Sequence, residues 1–461
     1  MKAVQTEDLD TMLGDPRGAI RSMSGPLIMA FLITQINLFA DSAWCSGLGV
    51  DASGGVSAIW PIYNALMGIG IGLGVGATTS IARRLGRNDR AEAESLAAQS
   101  IVLTVLVSAL TVPICWLSLD PLIYWMGAGD VHGYCRDYID PMVVNGLILI
   151  MNGTVAGILR AEGAAKKSTT MLSVSAVLNI VLDPVFIYGL DMGLAGAGWA
   201  TSVSCLVSTV LGLYWYASGR MYLRLSFRGF RINTSEMLDI LYVGVPRASE
   251  NIIISVISMV QRVFVIACGG TVAAVYYNIP WRLICIFAAI SEGVGTAMIS
   301  VSSAALGARD LEKAEDGFRY SLRISIGVMS VLTVIMFVFA DLLVIPFTLS
   351  PDMAELRPEF VRVVRIYAPI VVCLGFMDIA SSILQSLRRA QISMWSALVR
   401  NVVIVIGLYV ASLISLDSIF WTLLLCEIFG AALMMWLAHV EWKDYRHSHA
   451  VGTPPAEGQN D

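Results

Sequence analysis

Residues 324–347 read ISIGVMSVLTVIMFVFADLLVIPF, an apolar run whose one charge is Asp341. At 1.5 Å per helical residue such a run is long enough to cross a hydrocarbon core about 30 Å thick. Comparable runs occur at 141–159 and 194–217. They are continuously apolar instead of alternating, so helices and not a β-barrel are expected to satisfy the backbone in lipid. The composition agrees: 56% of the 461 residues are hydrophobic and 14% are charged, where a soluble protein carries about 25% charge.

Twelve spans are expected, at about 22–46, 56–81, 96–118, 141–159, 168–190, 194–217, 241–267, 272–302, 322–346, 363–386, 394–415 and 417–439. The longest polar stretches, 1–20, 218–240 and 440–461, are too short for a nucleotide-binding domain. No G-x-x-x-x-G-K-[ST] loop is present, which argues against ATP-driven pumping by this chain. The acidic first 20 residues and the lack of a small-residue cleavage site imply that the first span is retained. The net charge of −5 comes with no basic tail, so nucleic acid is not an expected partner.

Of the 30 Lys and Arg, 22 fall on the side of the amino terminus, in groups such as Arg83/Arg84/Arg87/Arg90, Arg160/Lys166/Lys167, Arg220/Arg224/Arg228/Arg231 and Arg309/Lys313/Arg319/Arg323. Four lie on the other side, Arg136, Arg357, Arg362 and Arg365. The positive-inside rule then places both termini in the cytoplasm of a multi-pass cell-membrane protein surrounded by lipid. The cysteines sit in or at the ends of spans, with only Cys135 in an external loop, so no disulfide framework is expected.

The chain is also internally repeated. With an offset of 221, residues 72–94 match 293–315 at Gly72/Gly293, Gly74/Gly295, Leu85/Leu306, Gly86/Gly307, Asp89/Asp310, Ala93/Ala314 and Glu94/Glu315. Similar offsets pair Pro26 with Pro246, Gly49 with Gly270, Pro141 with Pro369 and Asn179 with Asn401. Six spans per copy make the repeats parallel, which implies two six-helix lobes forming a V around a shared cleft, the machinery of alternating access. The expected organisation is a cytoplasmic segment 1–21, an amino lobe 22–217, a cytoplasmic linker 218–240, a carboxy lobe 241–439 and an unstructured cytoplasmic tail 440–461. In 68–76, GIGIGLGVG, glycine at every second position cannot mark one helix face. The segment is a thin helix with close neighbours on several sides, serving packing or bending.

Ionisable residues inside spans are functional candidates by default. Six acids qualify: Asp41, Asp183, Glu250, Glu292, Asp378 and Glu427. The intramembrane arginines, Arg247, Arg262, Arg282 and Arg400, all belong to the second half and can neutralise its acids. Asp41 and Asp183 lack such partners, so each must hold a proton or bind a cation. Both stand about 15 residues, roughly 22 Å, along their outward-running spans. Asn37 and Asn179 precede them by one helical turn, on the same helix face. Thr201 reaches a comparable level, and Pro184 is expected to kink the fifth helix and free a carbonyl. Asp41, Asn179, Asp183 and Thr201 thus offer hard oxygens for H+ or Na+, and no other cofactor is expected. His132, His439, His447 and His449 are not spaced as metal ligands within a span, which argues against a membrane enzyme.

The stretches DSAWCSGLG (41–49), followed by Ala58 and Pro61, IARRLGRNDRAEAE (81–94), LRAEG (159–163) and above all NIVLDPVFIYGLDMGLAGAG (179–198) resemble the multidrug and toxic compound extrusion (MATE) family, in its archaeal and DNA-damage-inducible branch. The resemblance covers about residues 20–440. It implies a secondary antiporter exporting amphipathic, often cationic, small molecules in exchange for H+ or Na+; two lobes around one cleft need no partner subunit, so a monomer is expected. It places the family's amino-lobe acids on Asp41 and Asp183, and its associated asparagine, tyrosine, second asparagine and threonine on Asn179, Tyr138, Asn152 and Thr201. Asn37 stands where this branch often has tyrosine, and with Tyr138 and Asn152 it is a substrate-cavity candidate. Another branch uses carboxy-lobe acids, for which Glu250 and Asp378 are candidates beside the charged Arg262 and Arg282. Arg262 occupies the repeat position of Asp41 and would repel a cation there. Trp44, Trp60, Tyr63, Tyr277 and Trp281 are either cavity walls or interfacial anchors. The alternative function is a lipid or lipid-linked glycan flippase of the same superfamily.

Overall fold

A computed structural model of the protein describes residues 6–227, 230–348 and 354–450. Arg228, in the expected basic linker group, lies outside the described residues, as does 451–461 of the expected tail. Among the described residues the regular structure is all helical, with 11 helices long and apolar enough to span a membrane and 12 spans when the bent pair 129–144 and 146–161 is taken as one. In chain order the helices are α1 (Glu7–Leu13), α2 (Pro16–Ser46), α3 (Val50–Gly86), α4 (Arg90–Trp125), α5 (His132–Val144), α6 (Gly146–Ala161), α7 (Ala165–Pro184) and α8 (Gly193–Ala217). They continue with α9 (Thr234–Gly307), α10 (Leu311–Val338), α11 (Ala340–Val344), α12 (Arg357–Ser386), α13 (Ala390–Ser412) and α14 (Leu416–Ala450). In α9 a break at Gly270, φ +68, separates two spanning arms, Thr234–Gly270 and Tyr276–Gly307.

The repeat identities acquire physical reasons. Asp89 and Asp310 both cap helices, accepting the backbone N–H of Glu92 at 3.0 Å and of Lys313 at 2.9 Å. Each follows a residue in the left-handed region, Asn88 and Arg309, which turns the chain between spans. Gly49 and Gly270 likewise take positive φ at matching hairpins. Gly86 backs onto Ala304 and Gly307 onto Arg83, and these are each other's repeat equivalents, so one contact is made twice about a pseudo-twofold relation.

Two residues turn a helix by about 200°, and the alternating glycines of α3 use this. Gly68, Gly72 and Gly76 face the first arm of α9, where a β-carbon would strike Asn251, Gly244 and Ile240. Gly70 and Gly74 face α6, where it would strike Ile150 and Gly153. Helix α3 is therefore the spine shared by both halves. Polar contacts at the same, arginine-rich end tighten the closure. Asp239 pairs with Arg84 from the first half at 3.9 Å and with Arg388 from the second, and Arg83 Nη2 donates to Ser386 O at 3.1 Å.

Three expectations need correction. The fourth span begins before residue 141: α5 and α6 meet at a 56° bend, where Pro141 lacks an N–H and Asn145 Nδ2 donates to its carbonyl at 2.8 Å. Cys135 is consequently buried within α5, its thiol donating to Gly55 O at 3.4 Å, instead of lying in an external loop. All eight cysteines are free. The α-helix of the fifth span ends at Pro184, and the span widens there into a π turn over Val185–Gly189, closed by Leu190 N–H on Val185 O at 2.8 Å. Residues 440–450, expected to be unstructured, continue α14, with Trp442 packed edge-on against Phe318 at 5.0 Å.

The segment after α8 is strapped to the first half. Glu162, just beyond α6, is buried and accepts from Tyr216 Oη at 2.6 Å and from the backbone N–H groups of Tyr222 at 3.0 Å and Leu223 at 3.2 Å. Burial pushes its carboxyl from 4.5 up to about 7. An acid whose native pKa is raised contributes stability that is full below its unfolded value and is lost as pH rises through its folded value. The melting temperature of the wild type should therefore fall, relative to Glu162→Gln, as pH rises from 4.5 to about 7; parallel melting curves across that window would contradict this. A second expectation concerns the closed end. Gly86→Val should cost about 1–3 kcal/mol through overpacking and should make a cysteine introduced at the buried Ser80 reactive to a membrane-impermeant maleimide.

Candidate functional site

Helices α2 and α7 carry Asp41 and Asp183 into one buried region of the first half. Asp41 Oδ2 accepts from Tyr138 Oη at 2.8 Å, and its Oδ1 accepts from the Cys45 thiol at 3.8 Å. Asp183 Oδ1 accepts from Asn179 Nδ2 at 2.9 Å, and the same amide reaches Thr201 Oγ1 at 3.3 Å. Asp183 Oδ2 is buried without a hydrogen-bond partner. The two acids lie close enough to feel each other's charge. Among the described residues neither forms an ion pair with Lys or Arg.

The local folding explains the placement. The earlier start of the fourth span puts Tyr138 on α5 beside Asp41, and the one-turn spacing of Asn179 and Asp183 makes their bond intrahelical. The π turn after Pro184 aims Tyr188 back at α2, where its hydroxyl donates to Trp44 O at 2.6 Å. Spans one and five are thereby held together beside the acids.

Not every expected residue joins this centre. Tyr138 belongs to the acid pair by its hydrogen bond. Asn152 gives its amide to Cys205 O, Ser208 Oγ and Thr209 Oγ1 on α8, at 3.3, 2.9 and 3.3 Å, an interhelical bond within the half. Asn37 is half-buried with Oδ1 unpartnered. Two residues near the acids were not assigned to them from sequence. Cys45 was readable as the residue one turn beyond Asp41, and Tyr63, which stacks at a tilt on Trp60 at 5.2 Å and lies within electrostatic reach of both acids, had no spacing signal.

In the second half, Arg247 pairs with Glu250 at 3.1 Å and reaches Glu292 at 3.9 Å, while Arg400 pairs with Glu427 at 3.2 Å. Ser393 also donates to Glu250 at 3.5 Å. Asp378 sits within the field of Glu292, Arg247 and Glu250. Arg262 and Arg282 form no ion pair among the described residues. The expectation that all four arginines neutralise acids thus holds for two.

Twelve spans in two repeated halves, closed on each other at one end and holding buried acids without counter-charges, define a membrane transporter and not an enzyme. The MatE family model matches residues 26–185 and 246–410, and the chain belongs to that family. It is 25% identical over 394 residues to the multidrug export protein MepA of Staphylococcus aureus strain MSSA476, covering 84% of this chain and 85% of the relative. The fold is similar to a MATE crystal structure in complex with MaL6, with a TM-score of 0.91 at 25% identity over 96% of this chain and 100% of that one. It is also similar to a MOP superfamily transporter from Pyrococcus furiosus whose binding pocket is described as of reverse polarity, with a TM-score of 0.90 at 25% identity over 96% of this chain and 99% of that one.

The Asp41–Tyr138 bond should have a measurable cost. Removing the hydroxyl in Tyr138→Phe leaves a buried acceptor unpaired and should destabilise the protein by about 1–3 kcal/mol. A melting temperature indistinguishable from wild type in a thermal-shift assay would show that Asp41 is satisfied another way.

Proposed function

We propose that this protein exports amphipathic small molecules, cationic compounds among them, in exchange for H+ or Na+ taken up at Asp41 and Asp183. The supporting observation is the unpartnered, buried Oδ2 of Asp183 beside a second buried carboxylate that has no cationic neighbour among the described residues. An ionised carboxylate is costly in such surroundings. A proton removes the charge, and an Na+ balances it using the carboxylate oxygens with Thr201 Oγ1 and the Asn179 side chain.

Loading and unloading change the charge buried between α2, α5 and α7, which supplies a difference in free energy between conformations. Tyr138 and Asn179 orient the two carboxylates, and the π turn keeps spans one and five in register. With the arginine-rich loops and both termini in the cytoplasm, the closed end faces inward, and the acids stand nearer the outer end. A coupling ion enters there, and its binding favours closure of the outer end. The reading further places the protein in the cell membrane, as a monomer embedded in lipid.

The test is efflux of a fluorescent lipophilic cation from proteoliposomes under an imposed proton gradient and, separately, a sodium gradient. Wild type should show gradient-dependent movement under at least one, and Asp41→Asn should reduce it by about tenfold or more, the scale of losing one essential charge-linked step. Full gradient-driven transport by Asp41→Asn would refute the site assignment. No transport under either gradient would refute ion coupling and turn attention to lipid translocation.

A further inference from the structure

Arg262 and Arg282 stand on the two arms of α9, 8 residues before and 12 residues after the turn at Gly270. At 1.5 Å per residue Arg262 lies about 12 Å below the end of the first arm and Arg282 about 9 Å into the second, which starts at Tyr276, both deeper than a lipid headgroup sits. Arg282 is exposed and reaches across to the first half, its guanidinium 5.5 Å from the centroid of the Phe39 ring on α2. Arg262 is half-buried, with Nε fully enclosed and unpartnered. The two guanidiniums are near enough to repel each other. Like charges at membrane depth are costly unless an anion joins them. None is supplied by the described residues. Glu427, whose charge reaches Tyr277, is held by Arg400, Glu250 and Glu292 are held by Arg247, and Asp378 lies in the field of Glu292, Arg247 and Glu250.

The position is informative. Asp41 lies 8 residues before Gly49, as Arg262 lies 8 before Gly270, and the two turns are repeat equivalents. The pseudo-twofold relation therefore puts a carboxylate in one half and a guanidinium in the other at equal height. Beside Arg262, Tyr277 and Trp281 stack nearly parallel, with centroids 6.2 Å apart and an angle of 8°, and the Tyr277 hydroxyl is tied to Gln261 at 2.5 Å. A rigid aromatic face thus adjoins two guanidiniums that have donors to spare.

We infer that Arg262 and Arg282, bordered by Tyr277, Trp281 and Phe39, form a subsite for the carboxylate of a flat aromatic substrate, so that the transporter prefers zwitterionic compounds over purely cationic ones of the same shape. The guanidiniums receive the carboxylate by charge-assisted hydrogen bonds, and the aromatic body lies against Tyr277 and Trp281. The cationic end of the substrate then points to the half that carries Asp41 and Asp183. This deepens the exporter reading and rests on it for the direction of transport, but binding itself requires no gradient.

The experiment compares a rhodamine bearing its free benzoate with the methyl ester of the same dye, by fluorescence polarisation on the detergent-purified full chain. Wild type should bind the free acid about tenfold more tightly than the ester, the effect of one good charge-assisted contact. Arg262→Gln and Arg282→Gln should each erase the preference by weakening the acid alone, and Arg262→Lys should keep part of it. Monodisperse elution of each variant, with an affinity for the cationic ester no weaker than that of the wild type, separates loss of the subsite from misfolding. The inference is overturned if wild type shows no preference or prefers the ester, if the glutamine variants weaken both dyes equally, or if neither dye binds. Gradient-driven efflux measured alongside distinguishes the two readings. Preference without ion-driven transport would sink the exporter alone, and transport without preference would sink the subsite alone.

Discussion

Backbone against backbone along the second span is the contact on which the architecture depends. A membrane offers little hydrophobic reward for bringing two helices together, because lipid tails are as apolar as leucine, so close approach and dispersion must hold them. Glycine allows that approach. In α3 the spacing of two sends successive glycines to opposite sides, one row to α6 in its own half and one to the first arm of α9 in the other. One helix therefore belongs to both halves. The reciprocal Gly86–Ala304 and Gly307–Arg83 contacts add a symmetric closure at the arginine-rich end. The alternatives of packing and bending that the glycine run leaves open are answered for this conformation: these glycines are packed.

With the halves joined at one end, the distribution of charge becomes the functional variable. The first half buries two carboxylates whose hydrogen bonds come from neutral donors, Tyr138, Cys45 and Asn179. The second half carries more charge within its spans and pairs much of it internally, in the Arg247–Glu250–Glu292 and Arg400–Glu427 groups. Outside these groups stand Arg262 and Arg282, without ion pairs among the described residues, and Asp378, in the field of Glu292, Arg247 and Glu250. At repeat-equivalent positions the first half carries the carboxylate of Asp41 and the second the guanidinium of Arg262, so the two copies of one scaffold differ in charge at the same height.

Much of this was legible one residue at a time. Run length against bilayer thickness set the class and the number of spans, because each span must satisfy its own backbone. The offset of 221 exposed the repeat, since Leu-Gly-x-x-Asp is a local device: a glycine for close approach, a left-handed residue to turn, and an aspartate to cap the next helix. Asp41 and Asp183 stood out because charge in lipid is rare, and Asn179 because a one-turn spacing is a short-range fact.

Other features depended on partners distant in the chain. Tyr138 meets Asp41 from 97 residues away, and only after the fourth span starts earlier than its apolar run. Asn152 looked like a cavity residue and instead packs α6 onto α8. Arg160 and Arg83, counted among loop charges, are buried where the basic end closes. The sequence by itself determined the membrane helices, the duplication and the identity of the unneutralised acids, all of which follow from local hydropathy, spacing and turn chemistry. Which charges find partners, which glycines join the halves and which arginines stay unpaired were decided by the tertiary structure, because pairing across helices depends on rotation and depth, and a one-turn difference in either redirects a side chain from lipid to a neighbour.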